Sequence, residues 1–247
     1  MVRKNGRNIF VGCSGWSYPH WKGEFYPADL PQKRWFEFYS GTFDTVEINN
    51  TFYRLPEEKT FEGWAAKARE GFVYSVKASR YITHIRRLKD VEDSVSLILK
   101  RTRLLKEHLG PILYQFPPNF SCHLDRFESL LKLLPRDLIH VVEFRDQRWI
   151  NDQTFALLEA YNVGHCVHDK GGLQIPWRAI GPVTYVRFHG SEQSQGSYSD
   201  RELERWADWL ESETRKKERD IYAYFNNDFA AHAVFNAQTL RKKLVGK

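Results

Sequence analysis

The chain has 247 residues, of which 42% are hydrophobic, 28% charged and 15% aromatic. This composition is typical of a globular protein, and it excludes a disordered chain, a collagen-like chain and a disulfide scaffold. The 37 Lys and Arg residues outnumber the 31 Asp and Glu residues, for a formal net charge of +6. Such a moderate basic excess permits an anionic partner but does not require one.

The cysteines and the N-terminal segment predict a cytoplasmic protein. Cys13, Cys122 and Cys166 form an odd set without C-x-x-C spacing, which argues against a disulfide framework and a zinc ribbon and favours a reducing compartment. Residues 1–10 are basic but no apolar run follows them, so no signal peptide is predicted. No stretch approaches the roughly 18 apolar residues that a membrane span needs, and no membrane association is predicted.

Eight short runs rich in β-branched and aromatic residues are predicted to be strands. They are residues 9–13, 43–49, 72–78, 110–116, 139–145, 163–169, 183–189 and 221–226. Helical periodicity separates most of them: Phe61, Trp64, Ala65 and Ala68 follow the spacing of one buried helix stripe. Further along, Ser199 with Glu202 predicts a capping box at a helix start.

The alternation of strands and helices predicts the fold. Parallel strands need a crossover between them, and eight such units make a TIM-type (β/α)8 parallel barrel. Residues 170–182, between the sixth and seventh predicted strands, are rich in Gly and Pro, so we expect a short or missing helix there. No long linker or internal repeat interrupts the chain, and residues 1–247 are interpreted as one domain.

Strand alternation also predicts which side chains point into the barrel, because residues two apart share a face. Apolar residues such as Val46, Ile48 and Val186 are assigned to the helix-facing side. The polar residues that alternate with them at the strand ends are therefore predicted to point towards the barrel axis. Barrel enzymes build their active sites at this end. The predicted catalytic residues are Glu47, Lys77, Glu143 and Asp169. The predicted substrate-binding residues are Trp16, Tyr18, Trp21, Asn49, Gln115, Arg145, Arg187, His189 and Asn226.

Other interpretations of the same residues remain open. The carboxylates and cations could form a paired polar plug that only closes the barrel. The aromatic residues of the first loop, residues 13–27, could stack on a ligand or pack on one another as a lid. A basic segment, residues 79–89, suits either phosphate contacts or a solvated helix start. Cys13 ends a strand, but we interpret it as a small buried hydrophobe rather than a nucleophile.

Several segments resemble signatures of the YecE-like family, domain-of-unknown-function family seventy-two. In chain order they are VGCSGWSYPHWKGEFYP (11–27), VEINNTFYRLP (46–56), SVKA (75–78), LYQFPP (113–118), VEFR (142–145), HD (168–169), YVRFHG (185–190) and FNND (225–228). The resemblance covers nearly the whole chain and implies a TIM-type barrel, but no activity. One departure follows Asn227: the family usually carries a glycine before the last helix, where this chain has Ala230, Ala231 and His232.

The leading functional hypothesis is an enzyme with hydrolase- or lyase-type acid–base chemistry. Its substrate would be anionic, either phosphorylated or derived from nucleic acid, and bound at the barrel mouth. Glu143 or Glu47 would act as general base or acid. Arg145 and Arg187 would hold an anionic group bidentately, and Lys77 would stabilise developing negative charge.

Three alternatives accompany this hypothesis. The first is a glycoside hydrolase with Glu47 and Glu143 as its carboxylate pair. The second is a divalent metal site with ligands from Glu47, Glu143, Asp169 and His189, which the nearby cations would oppose. The third is a non-enzymatic protein that binds nucleic acid or a small anion, with an affinity that falls steeply with salt. The sequence predicts no other cofactor and no oligomeric state.

Overall fold

Parallel strands and peripheral helices make up the molecule. The computed structural model describes residues 2–4 and 6–246. The strands are β1 (Val2–Lys4), β2 (Arg7–Cys13), β3 (Thr45–Ile48), β4 (Val73–Lys77), β5 (Leu109–Gln115), β6 (His140–Glu143), β7 (Gly164–His168), β8 (Val183–Phe188) and β9 (Asp220–Phe225). The α-helices are α1 (Trp35–Thr42), α2 (Asn50–Tyr53), α3 (Glu58–Lys67), α4 (Glu92–Thr102), α5 (Leu124–Lys132), α6 (Asp152–Ala160), α7 (Asp200–Lys216) and α8 (His232–Gly246).

The sheet order confirms the barrel. Its strands run β1-β2-β9-β8-β7-β6-β5-β4-β3, and every pairing is parallel except that of β1 with β2. The eight strands β2 to β9 match the eight predicted strands, with ends that agree within two residues. The short strand β1 was not predicted.

A tyrosine hydroxyl bridges the gap between β2 and β3. The described residues of these two strands form no ladder pairing. Instead, the Cys13 amide donates to the Tyr39 hydroxyl (2.8 Å), which donates to the carbonyl of Thr45 (3.0 Å). Gly12 permits this approach, because a Cβ there would lie 2.4 Å from the Thr45 oxygen. The nearly closed barrel is therefore completed by a side chain of α1.

Two apolar layers hold the barrel together. The larger layer packs the outward faces of the strands against the helices, where Val46, Ile48 and Val186 are buried. The smaller one fills the barrel interior with Phe10, Leu113, Val141, Cys166, Val183, Tyr185, Tyr222 and Tyr224. Leu113, Val141 and Tyr185 each lie two residues before Gln115, Glu143 and Arg187, so they share the inner face with these predicted site residues. Bulky aromatic side chains fill the interior, so the barrel is a packed core rather than a pore.

Two local predictions are also confirmed, the missing helix between β7 and β8 and the capping box at the start of α7. Residues 169–182, which connect β7 to β8, contain no helix. At the start of α7 the Ser199 hydroxyl accepts a hydrogen bond from the backbone N–H of Glu202, and the Glu202 carboxylate accepts one from the Ser199 N–H. No helix in the described ranges is long and apolar enough to cross a membrane.

Candidate functional site

Arg187 is the centre of a charged cluster at the carboxyl ends of the strands. Its guanidinium binds the Glu47 carboxylate through two bonds, Nε to Oε1 (2.9 Å) and Nη2 to Oε2 (2.8 Å). Its third nitrogen, Nη1, donates to Oε2 of Glu143 at 2.7 Å. One guanidinium from β8 therefore engages carboxylates from β3 and β6, and all three residues are buried.

Glu47 has further partners that complete its hydrogen bonding. The Ser14 hydroxyl donates to Oε2 at 2.7 Å and the Tyr185 hydroxyl donates to Oε1 at 2.8 Å. The sequence-based assignment did not include these two hydroxyls. Because four donors surround its two oxygens, Glu47 is a fixed anchor for Arg187.

Glu143 is held between two arginines. Besides Arg187 it forms an ion pair with Arg145, which follows β6 on the same face. Burial alone would raise the pKa of Glu143, but the charges of Arg145 and Arg187 outweigh it and hold that pKa well below its usual range. The carboxylate is therefore ionised at neutral pH and has no proton to give as a general acid.

Two neutral histidines lie beside this cluster. Arg145 Nη2 donates to Nε2 of His189 at 2.7 Å. Burial, followed by the charge of Arg187, lowers the pKa of His189 to about 2. Burial also lowers the pKa of His168, whose Nε2 lies 2.8 Å from the carbonyl oxygen of Phe144. Both imidazoles are thus uncharged at physiological pH and add nothing to the charge of the site.

Lys77 is the cation of this cluster that forms no ion pair with either carboxylate. It ends β4 with 8% of its surface exposed. Its ammonium lies over the ring of Phe52, 4.0 Å from the centroid, and pairs with no carboxylate among the described residues. Burial, followed by the charge of Arg187, lowers the pKa of Lys77 to about 8.

The mouth above this cluster holds a cavity of about 760 Å³. We call it the mouth cavity. The predicted site residues that line it are Tyr18, Asn49, Lys77, Gln115, Arg145, Arg187, His189 and Asn226. Three of these are cations, whereas Glu47 and Glu143 lie buried beneath the cavity and do not line it. Three cations against two carboxylates leave the site with one net positive charge.

Comparisons with known proteins agree on one family. The family described as "Protein of unknown function DUF72" matches residues 10–247. The chain belongs to the DUF72 family. It is 27% identical to YunF of Bacillus subtilis over 271 aligned positions, which cover 96% of this chain and 94% of that protein. It is also 28% identical to YecE of Escherichia coli, over 68% of this chain and 58% of that one.

Solved structures of this family share the fold. A DUF72 protein from Thermotoga maritima superposes with a TM-score of 0.86 at 26% identity, covering 96% of this chain and 99% of that one. A second, from Enterococcus faecalis, gives a TM-score of 0.82 at 16% identity, over 96% and 95% of the two chains. These relatives support the barrel and the resemblance seen in the sequence, but they assign no activity.

The turn before α8 has an unusual backbone conformation. Ala230 and Ala231 adopt left-handed conformations, with φ of 49° and 56°. Glycine adopts such angles without steric cost, whereas alanine does not. The two alanines therefore keep this turn at a cost in backbone strain.

The side chain of Asp169 does not point into the barrel mouth, where its predicted catalytic role requires it to lie. The ladder pairs His168, not Asp169, with the inward-facing Arg187, so His168 holds the inner register at the end of β7. The Asp169 carboxylate turns away and accepts hydrogen bonds from the His189 amide and the Tyr198 hydroxyl. It lines a neighbouring cavity of about 720 Å³, where burial raises its pKa.

The aromatic first loop packs mainly on the protein itself, which corrects the binding role expected for two of its residues. Trp21 is fully buried, and its indole N–H donates to the carbonyl oxygen of Asp228 at 3.0 Å. Trp16 packs edge-on against Phe36 and Trp64 and does not line the mouth cavity. Of the three predicted aromatics only Tyr18 reaches the cavity, so the lid interpretation of this loop fits the structure better than a stacking platform.

This geometry supports neither a cysteine nucleophile nor a metal site. Burial raises the pKa of the Cys13 thiol far above neutrality, which suits the small-hydrophobe interpretation of this residue. Across residues 2–4 and 6–246, no group of three or more His, Cys, Asp or Glu side chains is arranged to hold a metal ion. Asp169 and His189, two of the four residues considered as ligands, are joined through a backbone amide rather than facing a common point.

Proposed function

We propose that the protein is an enzyme that binds a small organic anion in the mouth cavity and carries out acid–base chemistry on it. The observation that carries the proposal is Lys77, an almost fully buried cation that lines the cavity without a carboxylate partner among the described residues. A buried charge is costly unless something pairs with it. An anionic ligand would supply the missing partner.

The polar rim suits such a ligand. Arg145 lines the same cavity as Lys77. Its Nε pairs with Glu143 and its Nη2 with His189, which leaves Nη1 to donate to a carboxylate or phosphate oxygen. The amide side chains of Asn49, Gln115 and Asn226 add neutral hydrogen-bonding groups. A few polar groups converging on a concave pocket are typical of small-molecule sites. Lys77 and Arg187 are almost fully buried, which favours a small anion that can enter the cavity over a nucleic-acid backbone, which would need exposed cations.

The acid–base role fits Lys77 better than Glu143. General acids and bases work best when their pKa lies near the operating pH. The pKa of Lys77 is lowered to about 8, whereas Glu143 is kept ionised by two arginines. We therefore assign proton transfer to Lys77, and we assign Glu47 and Glu143 to the positioning of Arg187 and Arg145.

This arrangement disfavours the glycoside hydrolase alternative. That chemistry needs two carboxyl groups with a glycosidic bond between them, one of which is protonated. Here the guanidinium of Arg187 occupies the space between Glu47 and Glu143 and binds both. Neither a sugar ring nor a water molecule fits between the two carboxylates while Arg187 is in place.

Thermal shift with a panel of small molecules tests the anion site. Inorganic phosphate, oxalate and citrate are compared with glucose, for the wild type, Lys77→Met and Lys242→Met. Lys242 is an exposed residue of α8 outside the cavity, so its variant removes the same charge without touching the mouth. We expect at least one anion to stabilise the wild type and Lys242→Met but not Lys77→Met. Equal shifts in all three proteins would contradict the proposal.

The enzymatic part needs a separate assay. Wild-type protein and Lys77→Met are incubated with a small-metabolite extract, and the metabolites are followed by mass spectrometry. We expect an anionic metabolite to disappear, and a product to appear, only with the wild type. Specific anion binding without any turnover would favour the non-enzymatic binding alternative instead.

A further inference from the structure

The surroundings of Lys77 on each side explain how its amine is presented to the cavity. The face of Phe52 lies under the ammonium, and the ring of His84 packs edge-on against Phe52 with centroids 4.9 Å apart. Burial, then the charge of Lys77, lowers the pKa of His84 to about 4. On this side Lys77 therefore meets the hydrocarbon face of Phe52, with a neutral imidazole packed against that ring.

On the opposite side the charged groups are already committed to one another. The groups that influence Lys77 are Arg187 from β8, Glu143 from β6, Glu47 from β3 and Arg145 after β6. Both carboxylates are bound by arginines. Among the described residues, no carboxylate is therefore left to pair with the lysine nitrogen, and Lys77 lines the mouth cavity.

The backbone holds Lys77 firmly in this position. The Thr51 hydroxyl donates to the carbonyl of Lys77 at 2.6 Å, and Ala78, the next residue, donates its amide to the carbonyl of Leu113 at 2.8 Å. Thr51 belongs to α2, the short helix that also carries Phe52. One helical turn thus fixes both the backbone and the packing surface of the lysine.

We infer that Lys77 is a nucleophilic amine that forms an imine with a carbonyl compound bearing a carboxylate or phosphate group. The amine lines a cavity and lacks a carboxylate partner among the described residues. Arg145 lines the same cavity, and its remaining nitrogen, Nη1, would hold the anionic group. Desolvation and a neighbouring cation are the conditions that activate lysine amines in proteins. This inference rests on the proposed function, since the same cavity must first bind the anion.

The step balances without any further reagent. The lysine nitrogen attacks the carbonyl carbon to give a carbinolamine, and the carbonyl oxygen then leaves as water. Overall, a carbonyl compound and a lysine ammonium give a protonated imine and one water molecule. Nothing is oxidised or reduced, and the positive charge stays at the position of the ammonium, close to Glu143 and Arg187.

The neutral amine is available at physiological pH. With a pKa of about 8, about a quarter of the Lys77 amines are unprotonated at pH 7.5, against roughly one in a thousand for a lysine with a model-peptide pKa near 10.4. We therefore expect imine formation at Lys77 to be at least about tenfold faster than at an exposed lysine, after allowance for its lower basicity.

Reductive trapping tests the inference. The folded protein is incubated at pH 7.5 with sodium cyanoborohydride and either pyruvate, glyceraldehyde 3-phosphate or neutral acetone, and the modified lysines are mapped by peptide mass spectrometry. Pyruvate and glyceraldehyde 3-phosphate separate a carboxylate from a phosphate ligand, and acetone lacks the anionic group. We expect Lys77 to be modified first by at least one of the two anionic carbonyls and more slowly by acetone.

Two variants make the result specific. Lys77→Arg keeps the charge and removes the nucleophile, and Lys242→Arg does the same at an exposed lysine of α8 outside the mouth cavity. We expect rapid trapping to be lost in Lys77→Arg and kept in Lys242→Arg. Trapping of wild-type Lys77 no faster than that of Lys242 would overturn the inference, and this comparison needs no variant to fold. Anion-dependent thermal shifts without trapping would refute the imine while leaving the proposed anion site intact.

Discussion

Arg187 and Glu47 form a two-point ion pair between strands that are not neighbours in the barrel, with nitrogen–oxygen distances of 2.9 and 2.8 Å. Both side chains are fully buried. The third guanidinium nitrogen reaches Glu143, and Arg145 forms an ion pair with Glu143 as well. The two arginines therefore balance the two carboxylates, and Lys77 leaves this buried cluster with one net positive charge.

Replacing Arg187 is expected to destabilise the protein strongly. Arg187→Met would leave Glu47 and Glu143 buried without their shared partner, and breaking a buried pair costs about 3–5 kcal/mol. Urea unfolding measures the change. The control is Arg178→Met, whose partner Glu159 forms a half-exposed surface pair with it and whose loss should cost less than about 1 kcal/mol. A similar loss of unfolding free energy in the two variants would mean that the ion pairs of Arg187 do not stabilise the fold more than a surface pair does.

Lys77→Met is expected to stabilise the protein at neutral pH. The pKa of Lys77 falls to about 8 on folding, from about 10.4 in an unfolded chain. The unfolded state therefore binds this proton more tightly, and the charged lysine costs the fold up to about 3 kcal/mol at pH 7.

This cost has a defined pH dependence. The wild type should gain stability relative to Lys77→Met as the pH rises from about 8 to about 10.4, because the folded lysine loses its proton first. Urea unfolding of both proteins at pH 7 and pH 10 checks the direction, and Lys242→Met is the exposed control. A Lys77→Met protein that is less stable than the wild type at pH 7 would show that the ammonium has a favourable partner.

Tyr39→Phe is expected to loosen the seam between β2 and β3. The hydroxyl accepts from the Cys13 amide and donates to the Thr45 carbonyl, and its loss leaves buried backbone groups unpaired at a cost of about 1–3 kcal/mol. Hydrogen exchange of the Cys13 amide should also become faster. The control, Tyr161→Phe, removes a surface hydroxyl bonded to Glu128 and should change stability by less than about 0.5 kcal/mol. Unchanged exchange at Cys13 would argue against a bridging role for Tyr39.

Ala230→Gly is expected to raise stability by about 1 kcal/mol, because glycine relieves the left-handed conformation of this residue. Thermal unfolding measures the gain. The matched change Ala156→Gly, at an exposed position inside α6, should instead cost up to about 1 kcal/mol. If both substitutions destabilise to the same degree, the turn carries no strain that glycine can relieve.

Much of this fold could be predicted from sequence because its signals are local. Each parallel strand is a short apolar run bounded by helical periodicity. In β3, β4, β6 and β8 the residue on each side of the polar one is apolar or lies at the strand end, and this pattern placed Glu47, Lys77, Glu143 and Arg187 on the inner face. These four side chains converge as expected. The prediction succeeded where apolar and polar residues alternate clearly.

It failed where that alternation is missing. Along β7 each of the two alternating sets contains a histidine, His165 in one and His168 in the other. The sequence therefore does not show which face turns inward, and Asp169, which belongs to the set of His165, was predicted in place of His168. Whether the aromatic residues of the first loop are buried or exposed depends on contacts with residues far away in the sequence. One such contact is the hydrogen bond from the Trp21 indole N–H to the carbonyl oxygen of Asp228. Likewise, only the folded geometry shows that Arg145 and Arg187 form ion pairs with both carboxylates and that Lys77 forms none.

A crystal structure of the protein grown with pyruvate or phosphate tests the central claim most directly. The account predicts an anion in the mouth cavity, within hydrogen-bonding distance of the Lys77 nitrogen and next to Arg145. An anion that binds only at other surfaces of the protein, with the mouth cavity filled by water at a saturating ligand concentration, would contradict it.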